Sequence, residues 1–343
     1  MSDIRIVNVT PQAALPGGEV VIEYSSTTSH GNAQPDVRFG DFSGQVTVAS
    51  SSKIMVRVPE LSADTGTEDL RISSNGNTSR PFSYAIGKRL ASNLYPVSNP
   101  AVDTEGNVYV TYSGRRGQKT PVSVYKITPK GAVTPFATDI MNATGLAFSM
   151  TGELFVSSRF DGNVYAIEPS GHMRLFTEGM GIATGIAFDR IGNLYIGDRS
   201  GSIFKISPDR EIFVFATLEP SIAAYHLAFG MDNHLYITGP TTSSFDSIYR
   251  VTPNGEVERY FTGLGRPQGL AVDIEGYVYV IGSFRGRHGV FRIRDRKPEL
   301  MIAGMSLVGL AFDFEENLMV TNLVADSGSL YRVRLGIMGK PLP

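Results

Sequence analysis

The chain has 343 residues, 42% of them hydrophobic and 19% charged, and a formal net charge of −2. That is enough for two domains or one large repeat array, and it leaves no global charge to draw the chain to nucleic acid or to an anionic membrane. With no cysteine at all, disulfides, thiolate zinc sites and a cysteine nucleophile are excluded.

No stretch approaches the run of about 18 apolar residues that a membrane span needs. The start, "MSDIRIVNVTP", lacks the basic-then-apolar layout of a secretory signal. A cytoplasmic location is expected if that start is native, and a secreted or periplasmic one if a leader has been trimmed.

Short alternating runs bounded by Gly, Pro, Asn and Asp predict an all-β protein from end to end. Residues 1–87 contain "IRIVNVTP", "GEVVIEYSS", "DVRFG", "QVTVASSSKIMVRVP", "EDLRISSNG" and "RPFSYAI", which predict about seven strands. Their number and spacing fit an immunoglobulin-like sandwich. With Pro11 after the first strand, the pair Gly17 and Gly18, "VRFG" at 37–40 and "VP" at 58–59, the segment resembles the IPT/TIG family. The resemblance implies a spacer or interaction module.

From residue 88 a period takes over. "PQGLAVD" at 267–273 is echoed by "SNPAVD" at 98–103, "TGLAFS" at 144–149, "TGIAFD" at 184–189, "YHLAFG" at 225–230 and "VGLAFD" at 308–313. The phrase alanines, Ala101, Ala147, Ala187, Ala228, Ala271 and Ala311, are 46, 40, 41, 43 and 40 residues apart. A period near 40 to 45 residues with four short strands per unit predicts a six-bladed β-propeller over 88–343. The fourth strand of each unit ends in an apolar residue plus Ala or Thr, as in Phe136-Ala137 and Phe215-Ala216, but the sixth unit lacks that strand. Leu90-Ala91 supplies the missing pair, with Ala91 standing 10 residues before Ala101 as Ala137 stands before Ala147. The strand near 88–93 is therefore expected to complete the last blade, leaving almost no linker and holding the two domains in a fixed relation.

The form "GIAFDRIGNLYIGDRSGSIFKIS" resembles the repeat of the NHL and SMP-30/gluconolactonase propellers. That fold hosts hydrolases, lyases, and protein and RNA binders, so function must come from the site. Asp103, Asp189, Asp273 and Asp313 share a slot that reads as turn chemistry, accepting backbone hydrogens, rather than catalysis. The third-strand aromatics Tyr125, Tyr165, Phe204, Tyr249, Phe291 and Tyr331 read as blade packing.

Antiparallel order puts the loops leading into each first strand and leaving each second strand on one face, around the central channel. In gluconolactonase-like enzymes the resemblance implies a divalent metal there, held by acidic and amide side chains, one being the Asp of a "PDG" phrase. The matching positions here are Ser98, Thr144, Thr184, Tyr225, Gln268 and Val308, followed by Asn99, Gly145, Gly185, His226, Gly269 and Gly309. None is a carboxylate. Calcium needs several oxygen ligands with compensating charge, so neither a metal nor another cofactor is expected, and calcium or another divalent ion would require a different ligand set.

His226 stands where four units carry Gly. It reads either as a base or soft-metal ligand, with His288 beside it, or as channel filling next to Tyr225. His226, Tyr225 and Gln268 form the candidate catalytic set. His172 and His234 fall on the opposite face and His30 in the first domain, which argues against a three-histidine metal site. No serine sits in a "GxSxG" elbow.

The loops of the candidate face hold seven basic residues, Arg115, Arg116, Lys119, Arg159, Arg199, Arg285 and Arg287, against four acidic ones, Asp161, Asp198, Asp246 and Asp326. Arg266 adds to the excess. Arginine forks suit carboxylate or phosphate ligands. The expected function is a non-catalytic binding or scaffold protein recognising an anionic protein segment or carbohydrate. A lactonase- or lyase-like enzyme is the alternative. RNA binding through the basic loops stands third, because only Tyr112, Phe160, Phe245 and Phe284 are interleaved for base stacking.

Overall fold

The computed structural model describes residues 4–26, 34–61 and 66–341, and every regular element among them is a β-strand; His30 lies outside the described residues. No helix among them is long and apolar enough to cross a membrane.

The first part packs two sheets over one core. In one sheet Ile4–Thr10, Glu19–Ser26, Lys53–Arg57 and Gln45–Ala49 run antiparallel in that order. The alternation in "EVVIEYSS" turns Val20, Ile22 and Tyr24 inward and leaves the residues between them at the surface. The facing sheet contributes Val37, Phe39, Leu70 and Ile72, all fully buried against Ile54 and Val56.

That second sheet does not stop at the edge of the first part. Ala13–Ala14 pairs in parallel with Phe82–Ile86 on one side and with Lys297–Ala303 on the other, giving one ten-stranded sheet. Small residues make the approach possible. A Cβ on Gly18 would sit 2.4 Å from the Ala303 carbonyl oxygen, and the Leu15 amide donates to that same oxygen at 2.8 Å. One continuous hydrogen-bonded sheet therefore runs from the first part into the segment Lys297–Ala303.

Beyond residue 88 the structure is propeller-like. Each copy of the phrase opens an antiparallel order of four strands, as in Ala183–Phe188, Leu194–Asp198, Ser202–Ile206 and Ile212–Thr217. The last copy opens Leu307–Phe312, Asn317–Val324 and Ser327–Arg334, and the fourth strand is Lys88–Leu94, paired antiparallel with Ser327–Arg334. Successive first strands lie side by side, and Ala101–Val102 touches Leu307–Phe312. The phrase glycine follows from that crowding: a Cβ on Gly185 would fall 2.3 Å from the Tyr225 carbonyl oxygen, and one on Gly309 2.2 Å from that of Ser98.

The phrase's closing residues also have fixed work. Asp189 Oδ1 accepts the amides of Ile191 and Asn193 at 3.1 and 2.9 Å, and Asp103 and Asp313 repeat this turn. Three sheets are tied to the next by a second-strand ring, Tyr109, Phe155 or Tyr195, set edge-on between two others. Tyr195 lies 4.9 Å from both Phe215 of its own sheet and Phe229 of the next, and Phe155 does the same with Phe176 and Phe188. The third-strand aromatics pack into the same clusters between sheets.

Candidate functional site

The positions leading into the inner strands are mostly engaged with backbone. Thr144 is fully buried and donates to the Asn142 carbonyl at 2.8 Å. Thr184 donates to the Gly197 carbonyl at 2.8 Å and accepts the Tyr225 amide at 3.1 Å. Tyr225 is a buried wedge: its ring packs where Cβ atoms on Gly197 and Gly239 would otherwise stand, and its hydroxyl donates to the Glu219 carbonyl. Burial pushes its pKa up, so the phenol keeps its proton.

His226 is fully buried; among the described residues neither ring nitrogen has a partner in good hydrogen-bond geometry, while the Gln268 side chain lies near enough to favour the protonated form. Burial pushes its pKa down to about 4, an effect that the Gln268 side chain only partly offsets. At neutral pH it is an uncharged imidazole filling the gap between two inner strands. Asn99, the other departure from the phrase glycine, reaches over the two preceding first strands. Its Nδ2 donates to the Leu270 carbonyl at 2.9 Å and its Oδ1 accepts the Leu310 amide at 3.3 Å.

What remains open is a cavity of about 270 Å³ at the channel mouth, bordered by Arg159, Arg199, Thr184, Gln268, Val308 and the segment Ile222–Ala224. The sequence brings both arginines there for one reason: each directly follows a second strand, Leu154–Ser158 or Leu194–Asp198, whose inner end faces the axis. Arg159 Nη2 donates to the Gly114 carbonyl at 3.0 Å while its Nε is unpaired. Arg199 donates to the carbonyls of Ser221 and Ile222 at 3.3 and 2.8 Å. Both are half-buried, and among the described residues neither has a carboxylate within ion-pair distance. Burial lowers the Arg159 pKa and the charges of Arg199 and Arg116 add to that, against an opposing contribution from Tyr95. A guanidinium stays charged under such shifts, so the mouth presents two cations backed only by carbonyls.

The remaining basic residues separate into distinct environments. Arg115 pairs with Asp326 at 2.7 Å and Lys119 with Asp139 at 3.1 Å. Arg285 lies over the Phe284 ring at 5.2 Å. Arg287 donates to the Glu19 carbonyl of the first part at 2.9 Å, so it holds the junction of the two parts. Arg116 is exposed beside the mouth. Arg266 and His288 border a second cavity of about 380 Å³ that shares Gln268 and Val308 with the first. Of the candidate catalytic set, only Gln268 borders either cavity.

The mouth does not fit a hard cation. Among the described residues no three His, Asp or Glu side chains converge. The hydroxyls of Thr144 and Thr184 already donate to carbonyls, and two guanidiniums would repel a metal ion. Ile222, Leu323 and the Pro96-Val97 pair, which also line the mouth, were not singled out by sequence. The only signal for them was proximity to the lead-in positions.

No family model and no curated protein matches this chain. Solved structures do share its fold. A gluconolactonase from Xanthomonas campestris is 17% identical with a TM-score of 0.58, over 72% of this chain and 89% of its own. A luciferin-regenerating enzyme has the same identity and TM-score, over 74% of this chain and 96% of its own. An auxiliary nutrient binding protein from Bacteroides thetaiotaomicron is 12% identical with a TM-score of 0.53, over 96% of this chain and 97% of its own. These likenesses show a propeller fold, and identities this low carry nothing beyond it.

Proposed function

We propose that the chain is a non-catalytic binding protein: an immunoglobulin-like, IPT/TIG-type module at 1–87 and a six-bladed NHL-type propeller at 88–343, whose channel mouth recognises an anionic protein segment or an acidic carbohydrate. The observation that carries this is the pair Arg159 and Arg199, half-buried at one cavity with no carboxylate among the described residues to neutralise them. Unpaired cations lose hydration without recovering it in an ion pair, and an incoming carboxylate or phosphate restores that balance through charge-assisted hydrogen bonds. Isothermal titration with an oligogalacturonate and with an acidic peptide tests it. Arg159→Glu with Arg199→Glu should weaken binding of the active probe by at least about 100-fold, while Arg285→Glu changes it less than about twofold. Binding indifferent to the double variant removes the proposal.

A lactone hydrolase or lyase acting at the same mouth is the second reading, and the gluconolactonase among the solved structures of this fold favours it. Its difficulty is local. Two of its three candidate residues, Tyr225 and His226, are buried away from the cavity, and the third, Gln268, is an amide that neither takes nor gives a proton. Turnover of a lactone that is lost in His226→Ala with the fold intact would establish this reading over the first.

A further inference from the structure

The opposite end of the channel is built from the other half of the phrase. There the phrase leucines, with Phe148, Phe188, Phe229 and Phe312 nearer the rim, line a cavity of about 190 Å³. Asn99 lies at its wall with its amide already committed to Leu270 and Leu310, so it offers a ligand little beyond contact.

The turns on this side of the ring carry exposed apolar residues, of which Phe314 lines the cavity itself. Met150, Met231, Ile274 and Phe314 each occupy the position after the turn-opening residue, and with Ile191 they are between 36% and 76% exposed. Arg190 Nη2 lies 3.6 Å from Met231 Sδ of the next turn, and the Ile274 amide donates to the carbonyl of Met338 in the C-terminal segment at 3.0 Å. Large apolar side chains gathered round an apolar cavity mark a binding surface more often than isolated ones do.

Among the described residues one cation, Lys340, borders this cavity. The segment around Gly339 and Lys340 is strapped across the rim by a bridge between Asp273 and Gly339 and by the Lys340 amide donating to the Val272 carbonyl at 3.0 Å. Lys340 lines the cavity, and among the described residues no carboxylate lies within ion-pair distance of it; Asp313 also lines the cavity, but its carboxylate is taken up by the amides of Glu315 and Asn317 and by the Asn317 side chain. Burial lowers its pKa and the charge of Arg190 lowers it further, so the ammonium is held at a cost that an anion would relieve.

We propose that this end of the channel is a second binding site, separate from the arginine mouth, for a straight-chain alkyl carboxylate. Its carboxylate pairs with Lys340 Nζ at the rim and its tail lies along the cavity wall of Leu, Ala and Phe residues. The apolar wall selects the tail and the single point charge selects a small anionic head.

Titration calorimetry with octanoate, beside octan-1-ol and butyrate, tests this on the whole chain. One saturable octanoate site is expected, with octanol and butyrate each weaker by roughly tenfold or more. Lys340→Ala should weaken octanoate by roughly tenfold, and Phe314→Asp, at an exposed rim position, should weaken it too. Ala228→Phe, which fills the cavity, should abolish binding if its melting curve shows it folded. Arg159→Glu with Arg199→Glu should leave octanoate unaffected. No saturable octanoate binding, octanol binding as tightly as octanoate, indifference to both Lys340→Ala and Phe314→Asp, or loss in the double arginine variant would each overturn the assignment.

Discussion

The two mouths of the channel are made from one repeat, yet they have opposite chemistry. At one, the strand-exit loops differ from unit to unit, and two of them deliver Arg159 and Arg199 to a cavity backed by carbonyls. At the other, the turns are near-copies, and four of them repeat an exposed apolar side chain around a wall of Leu, Ala and Phe. A repeat cannot place a charge at one point on an axis without placing it everywhere. Charged recognition therefore falls to the departures from the phrase, and apolar lining to the phrase itself.

The largest expected effect on this contrast is the double reversal of Arg159 and Arg199, which should empty the charged mouth and spare the apolar one. Next comes the partition between strands made by His226. Its pKa of about 4 in the folded chain against an unfolded value of 6.5 means that, as pH falls from 6.5 toward 4, the unfolded chain takes up a proton that the folded chain refuses. Stability is full above that window and should be reduced by on the order of 3 kcal/mol below it. Denaturant melts across pH 7 to 4 should show this slope, and His226→Phe should flatten it. If wild type and variant show the same slope, the buried neutral imidazole is the wrong description.

A smaller effect is expected at Asn99, whose two hydrogen bonds tie three first strands together between the mouths. Asn99→Ala should cost about 2 kcal/mol and leave the Leu310 amide without its acceptor. Chemical denaturation measures the loss, and a change below about 0.5 kcal/mol would mean that water replaces the bridge. If the two cavities stay distinct in function despite the change, the apolar wall alone separates them.

Much of the fold was legible in one dimension because it repeats. The 40-residue period marked the sheets, the displaced Leu90-Ala91 pair marked the strand that completes the last one, and the Asp slots marked turns whose hydrogen bonds are as expected. The site was legible only as a pool of candidates. Arg115 and its partner Asp326 are 211 residues apart, and Arg287 is tied to Glu19 at a separation of 268, so no local pattern could tell these cations from the unpaired ones. Likewise nothing near Ala13-Ala14 announces a strand shared between two parts of the molecule, since its partners lie near residues 85 and 302.

By itself the sequence determined the all-β character, the repeating units, the face carrying variable loops and the lack of an acidic ligand set, because these depend on periodicity and residue type along the chain. Tertiary structure alone decided which arginines keep their charge unpaired, that Tyr225 and His226 are walled off while Gln268 is not, and that the far mouth carries an apolar wall with one lysine. Those outcomes depend on which distant residues meet and on how much water is left between them, and neither quantity exists until the ring has closed.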